Sequence, residues 1–209
     1  MLKVSVVIVC YKRFKHFEDI LYKWLQQTDD VIVVDNSGKF KTELPVTVFN
    51  ISKNLGPQAR YPFSFFAKYK WVIYADDDIM PMPGLIKDLW KHRHKNKIVS
   101  IIGRIFNGRS YYTSTGYRGE NISEPIKVDW IGGGCTLSPI WNGAVHVPSC
   151  PWMGVDDFWW EHQLDGVSFW VVPSKNYKFT DEYKDKHSLH TTAKTREMRE
   201  KYYKEWTCA

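Results

Sequence analysis

Apolar residues recur along this chain with two different periods. The segment VSVVIVC, Val4 to Cys10, is a β-branched run of the kind a strand shows when both faces of a parallel sheet are covered. After it, Phe14, Phe17, Ile20, Leu21, Trp24 and Leu25 return at helical spacing, which predicts an amphipathic helix over 14–27. DVIVVDNSG then supplies a second buried strand running into a turn, completing a βαβ unit. VTVFNIS predicts a third strand, GPQARYPFSFFAKY a helix with Pro57 near its first turn, and KWVIYA a fourth strand. MPGLIKDLWKHRHKN predicts another helix and KIVSIIGRIF a fifth strand. Strand alternating with helix through residue 106 argues an α/β fold with an open, mostly parallel, Rossmann-like central sheet flanked by helices. In such sheets ligands gather at the carboxyl ends of the strands.

The second half is less regular. SYYTSTGYRG and IKVDWIGGGCTLS predict strands around a Gly-rich bend, GVDDFWWEHQL a short helix, and VSFWVVPS another strand. TAKTREMREKYYKEW alternates charges around Met198, Tyr202, Tyr203 and Trp206, an amphipathic closing helix. With no internal repeat and no low-complexity linker, 209 residues suit one domain over 1–209, whose halves meet near residue 106.

Composition narrows the function classes modestly. Lys plus Arg number 29 against 23 Asp plus Glu, a formal charge of +6. The basic residues are scattered, which argues against a nucleic-acid footprint, and the one dense run, KHRHKNK, reads as a solvated helix end. Cys10, Cys135, Cys150 and Cys208 have neither C-x-x-C spacing nor the density of a stapled secreted domain, so free thiols are expected. No apolar run approaches the roughly 18 residues of a membrane span, and the opening run reads as a strand rather than a signal peptide. The expected setting is soluble, reducing and cytoplasmic. Ten Trp are many for this length; large aromatics serve cores first and sugar platforms second.

The chemistry concentrates at strand ends. YADDDIMP places Asp76, Asp77 and Asp78 directly after the fourth strand, where mutual repulsion raises the cost of ionising all three. Held rigidly there, their oxygens suit Mn²⁺ or Mg²⁺, hard cations that take carboxylates; a solvated turn is the plainer alternative. Cys10 to Arg13 and Asp35 to Ser37 end the first and second strands, so three polar clusters converge on one edge.

These motifs, VSVVIVCYKR, VIVVDNSG, NLGPQARY and YADDDIMP in that order, give the chain its resemblance to the GT-A glycosyltransferases, most of all inverting, family-2-type enzymes. It also resembles the glycosyltransferase module of glycan-assembly proteins of large algal viruses, which would make it one piece of a longer polypeptide in a host cytoplasm. The resemblance is strong over residues 3–106 and weaker beyond. It implies a metal-dependent enzyme taking a UDP-sugar donor, with glucose or a deoxyhexose such as rhamnose, and an oligosaccharide or glycoprotein glycan acceptor.

Position by position, the resemblance lays Val9, Cys10 and Tyr11 along the uridine, Arg13 near the nucleotide, and Arg60 at the phosphate or base. It gives Asp35 a hydrogen bond to the base, whereas the residues alone also allow a cap of the turn DNSG. Asp78 would hold the metal, Asp76 would face the ribose or share the metal, and Asp77 would border the donor. Gly133 and Gly134 in IGGGCTLSP would admit the donor sugar, or simply form a tight bend. Asp156 and Asp157 open a helix, where ionised carboxylates are favoured as caps. The resemblance makes Asp157 the base that takes the acceptor's proton and sets Asp156 beside the acceptor, with Trp152 as a stacking platform. One histidine, His187 or His190, between which the pattern does not choose, would complete the metal shell, or both are plain surface residues. A nucleotidyltransferase would want a Gly-rich signature after the first strand, absent from CYKRFKH. A carbohydrate-binding module with a structural Ca²⁺ site is the non-enzyme alternative.

Overall fold

The first strand shows why this sheet forms. In β1 (Ser5–Cys10), Val6, Ile8 and Cys10 enter one apolar layer and Val7 and Val9 the other, so both faces are covered and every position is buried. The computed structural model describes residues 1–140, 155–161, 164–181 and 192–207. In chain order the further elements of the first half are α1 (Phe17–Leu25), β2 (Val31–Asp35), β3 (Thr47–Asn50), α2 (Arg60–Phe63), β4 (Trp71–Asp76), β5 (Ile79–Pro81), α3 (Leu85–Lys91), β6 (Lys97–Ser100) and β7 (Ile102–Ile105). The second half adds β8 (Thr115–Arg118), β9 (Ile126–Val128), β10 (Trp130–Ile131), β11 (Cys135–Pro139), α4 (Asp156–Glu161), β12 (Ser168–Val171), β13 (Tyr177–Phe179) and α5 (Ala193–Thr207).

Eight strands form the central sheet in the order β3-β2-β1-β4-β11-β6-β12-β9. β1 pairs parallel with β2 and β4, and β2 with β3; β11 runs antiparallel between β4 and β6. α1 and α3 cover one face through Phe17, Ile20, Leu21 and Trp24, and through Leu85, Ile86 and Leu89. A third, smaller cluster of Tyr111, Trp130, Phe158 and Tyr203 ties α4 to α5.

Two expectations change, and two short strands are added. The helix drawn over GPQARYPFSFFAKY is a short turn at Pro57–Ala59, the four residues of α2 and a last turn at Ser64–Phe66, because Pro62 lacks the N–H that a continuous helix needs. The fifth strand, KIVSIIGRIF, is two strands in two sheets: β6 stays central and β7 joins β8 and β10. β5 and β13, which pair with each other, carry too few residues for a periodicity to show. KHRHKNK is mostly exposed, but only Lys91 belongs to α3; the rest turns into β6, which Lys97 opens. Among the described residues no helix is long and apolar enough to cross a membrane.

Candidate active site

β4 delivers the acidic triplet beside the exit of β1, since Val9 lies opposite Asp76 in the parallel pair. The strand ends at Asp76, and Asp77 and Asp78 form the turn into β5, pinned where the Thr180 N–H donates to the Asp78 carbonyl at 2.9 Å. The turn separates the three side chains. Asp76 and Asp78 face a cleft of about 1050 Å³, whereas Asp77, 3% exposed, points inward and accepts the Tyr11 N–H at 3.3 Å.

Two arginines neutralise the triplet. Arg13 Nη1 donates to Asp78 Oδ2 at 2.8 Å and its Nη2 pairs with Asp77 Oδ1. Arg60 Nη2 lies 2.8 Å from Asp76 Oδ1 and 3.8 Å from Asp156 Oδ2, and its Nη1 donates to the Gly133 carbonyl at 2.6 Å. Arg60 therefore joins the triplet to the Gly-rich bend and to α4. Burial still pushes the Asp77 carboxyl up to about 8, against the pull of Arg13. Asp78 rises to about 6, through burial first and then the charge of Asp76.

The bend before β11 lies close against the triplet, and the Asp76 N–H donates to the Gly134 carbonyl at 2.9 Å. A Cβ on Gly134 would meet Ile79 Cδ1 at 2.8 Å and Asp76 Oδ2 at 3.3 Å, so this backbone approaches only because it has no side chain. Val9 and Cys10 enter opposite core layers, so what they can offer a ligand is backbone. Burial drives the Cys10 thiol far above its usual range; Cys10 and Cys135 are free thiols.

Asp35 departs from its expected place at a base. It is fully buried and spends its oxygens on its own turn: the Ser37 hydroxyl donates at 2.7 Å, the Ser37 N–H at 2.8 Å, and the Lys39 and Phe40 N–H groups at 2.7 Å each. The geometry carries the capping alternative, since an aspartate just before Asn-Ser-Gly satisfies several local donors at once.

α4 brings Asp156 to Arg60 and Asp157 to the cleft. Asp156 faces inward, accepting from the Tyr61 hydroxyl at 3.4 Å beside Arg60, while Asp157 lines the same cleft as Asp76 and Asp78. Burial raises both carboxyls; Asp157 reaches about 7, with the charge of Asp156 adding to the rise and Arg199 opposing it. Asp157 Oδ1 accepts the Phe158 N–H at 3.0 Å.

Sequence reasoning missed several cleft residues. Arg199, on α5, lines the cleft with its guanidinium 5.6 Å above the Tyr111 ring. Glu200 holds the same helix to the 110–112 turn, accepting from the Ser110 hydroxyl and from the Tyr112 N–H at 3.3 Å. Glu161 on α4 lies outside the cleft lining; 2% exposed, it accepts the Ile131 N–H at 3.2 Å, and burial pushes its carboxyl well up. The i, i+3 spacing of Arg196 and Arg199 marks one helix face, but nothing local says that this face lines the cleft with Asp157. Trp152, His187, His190, Cys150 and Cys208 lie outside the described residues.

Among the described residues no group of three His, Cys, Asp or Glu is arranged to hold a cation. Asp76 and Asp78 nevertheless fit a hard divalent ion. They are two oxygen donors on one cleft, and their mutual repulsion, which helps raise the Asp78 carboxyl, is what such an ion relieves.

A strand-end acidic cleft on this mostly parallel α/β sheet is the GT-A class of fold. The chain belongs to glycosyl transferase family 2, whose model matches residues 5–137. Its structure is similar to the crystal structure of S. aureus TarS 1-349, at 17% identity and a TM-score of 0.58, over 84% of this chain and 59% of that one. The chain therefore spans less than two thirds of that relative. It is also similar to the inositol-1-phosphate CTP transferase from T. maritima, at 9% identity and a TM-score of 0.56, over 96% of each chain. At such identities the likeness is one of fold. No curated protein matches the sequence.

Proposed function

We propose that this chain moves a sugar, glucose or a deoxyhexose such as rhamnose, from a UDP-sugar to a hydroxyl of an oligosaccharide or glycoprotein glycan, with inversion at the anomeric carbon. The observation that carries this reading is that Asp76 and Asp78, from the end of β4, and Asp157, from α4, line one cleft. Asp78, with Asp76, would hold Mn²⁺ or Mg²⁺, which when bound supplies electrostatic stabilisation of the leaving diphosphate. Asp157 lines the same cleft, and a carboxyl near 7 is matched to removing the acceptor hydroxyl's proton at neutral pH. Arg60 keeps Asp76 and the Gly-rich bend in register, so the donor meets preformed backbone. Attack from the Asp157 side, opposite the diphosphate, inverts the centre. Two buried free thiols fit a reducing, cytoplasmic setting.

The test is a panel of nucleotide sugars with Mn²⁺, read by release of UDP. One UDP-sugar should turn over, and Asp157→Asn should lose about 10²–10⁴ of the rate while still binding UDP. Turnover of none of the panel, or pyrophosphate release from CTP and a sugar phosphate, would move the reading to nucleotidyl transfer or binding alone. Proton NMR of the product reads the stereochemistry, and retention of the donor's configuration rejects inversion.

A further inference from the structure

Arg13 and Arg60 both neutralise the acidic triplet, but they are anchored differently. Arg60 is built into the backbone: Nε donates to the Pro57 carbonyl at 2.9 Å, Nη1 to the Gly133 carbonyl at 2.6 Å, and its side chain is 3% exposed. Arg13 grips Asp77 and Asp78 in a fork with its side chain 14% exposed, nearer solvent. It follows Lys12, which takes the left-handed conformation (φ 61°), alone in this among the described non-glycine residues. Such backbone, away from the favoured regions, is common where a segment has two arrangements.

The carboxylate that Arg13 holds, Asp78, is also the one that faces the cleft with Asp76. A guanidinium and a divalent cation satisfy that carboxylate by the same electrostatics, and they repel each other at such range. Asp77 and Asp78 are both buried, and Arg13 is the guanidinium that pairs with them, as Arg60 does with Asp76. A guanidinium released there keeps its fork, which matches phosphate oxygens as well as carboxylate.

We propose that Arg13 is a displaceable counter-ion: it occupies Asp78 in the cation-free protein, gives up that carboxylate when a divalent cation binds, and turns to the diphosphate of the nucleotide. Asp77, held by the Tyr11 N–H, stays behind as the fixed half of the former fork. The exchange rests on the metal-assisted reading of the cleft given above. It adds that cation and diphosphate binding are coupled through one side chain.

Binding, not turnover, tests it. Mn²⁺ alone is titrated into the full chain and the free-ion signal followed by electron paramagnetic resonance; UDP is then titrated at saturating Mn²⁺ by calorimetry. Arg13→Met should bind Mn²⁺ about tenfold tighter and UDP about tenfold more weakly, the size expected when one charge-assisted hydrogen bond stops competing in the first case and is lost in the second. Lys12→Met removes the same charge from a neighbour outside the fork, and both affinities should stay within about twofold of the parent, as for an exposed, screened charge. Unchanged or weaker Mn²⁺ binding by Arg13→Met, an unchanged UDP affinity, or an equal effect of Lys12→Met overturns the exchange. Should Arg13→Met not fold, Arg13→Lys takes its place with the same directions, because lysine cannot fork across two carboxylates. If parent and variants alike bind no Mn²⁺ with or without UDP, the metal-assisted reading falls together with the exchange; if the parent binds and Arg13→Met matches it, the exchange alone falls.

Discussion

Asp157 sits where burial and two charges pull on one proton. Its carboxyl titrates near 3.8 in the unfolded chain and near 7 in the folded protein, burial being the larger cause. The folded state thus favours the protonated form. That stability is fully present below pH 3.8 and is lost as pH rises through 7. Asp157→Asn, neutral at every pH, should therefore melt several degrees above the parent at pH 8, with the gap narrowing as pH falls and closing only near pH 4, by calorimetry. Transfer needs the opposite form, so its rate should climb with pH through about 7 and the variant should lose it. A variant less stable than its parent at pH 8 would contradict the cost assigned to that charge. Within the triplet, Asp78→Asn should weaken Mn²⁺-dependent UDP binding more than Asp77→Asn, because Asp78 faces the cleft and Asp77 faces the backbone of Tyr11. Equal losses in the same titration would remove that division. Asp76, Asp78 and Asp157 were legible in the sequence because an acid at a strand end or helix start is a local pattern. Asp35 looked the same and proved to cap its own turn, since only side-chain direction separates the two outcomes.

At the scale of elements, the buried strands and the two helices packed on them agree with the apolar periods, apart from ragged ends. The failures have specific causes. KIVSIIGRIF looks like one strand because its apolar content never lapses, but the chain changes sheets at Ile101, and Gly103 is what lets it do so. A Cβ there would lie 2.7 Å from the Trp130 carbonyl oxygen and 2.6 Å from Val171 Cγ2. Gly103→Ala should cost about 2 kcal/mol as an overpacked site whose neighbours include rigid backbone, measured by urea unfolding. No measurable loss would mean that β7 and β10 can part without penalty. α5 illustrates the opposite limit. Its amphipathic pattern announces a helix, but its docking depends on Tyr203 meeting Phe106 edge-on at 4.8 Å and on Glu200 reaching the 110–112 turn. Those partners lie about ninety residues away in sequence.

The whole molecule turns on β11. Four strands of the first half follow the order β3-β2-β1-β4 that a doubly wound sheet leads one to expect, and then a strand from the second half enters antiparallel beside β4. That insertion carries Gly133 and Gly134 to the triplet. It also makes β1, β4 and β11 the interior of the sheet, so their amides should exchange hydrogen slowest and those of β3, a partly exposed edge strand, much faster. Exchange by mass spectrometry showing β3 as protected as β1 would contradict this arrangement. By itself the sequence determined the buried strands of the first half, the two helices packed on them, and the acidic residues at the strand ends. All of these follow from periods and neighbours a few residues apart, where burial and turn chemistry act directly. Only the tertiary structure decided that Arg60 joins Asp76 to Asp156, that Arg13 grips Asp77 and Asp78, and that Arg199 shares a cleft with Asp157. Opposite charges attract through space whatever their separation along the chain, and which of them meet is settled by strand order and helix docking.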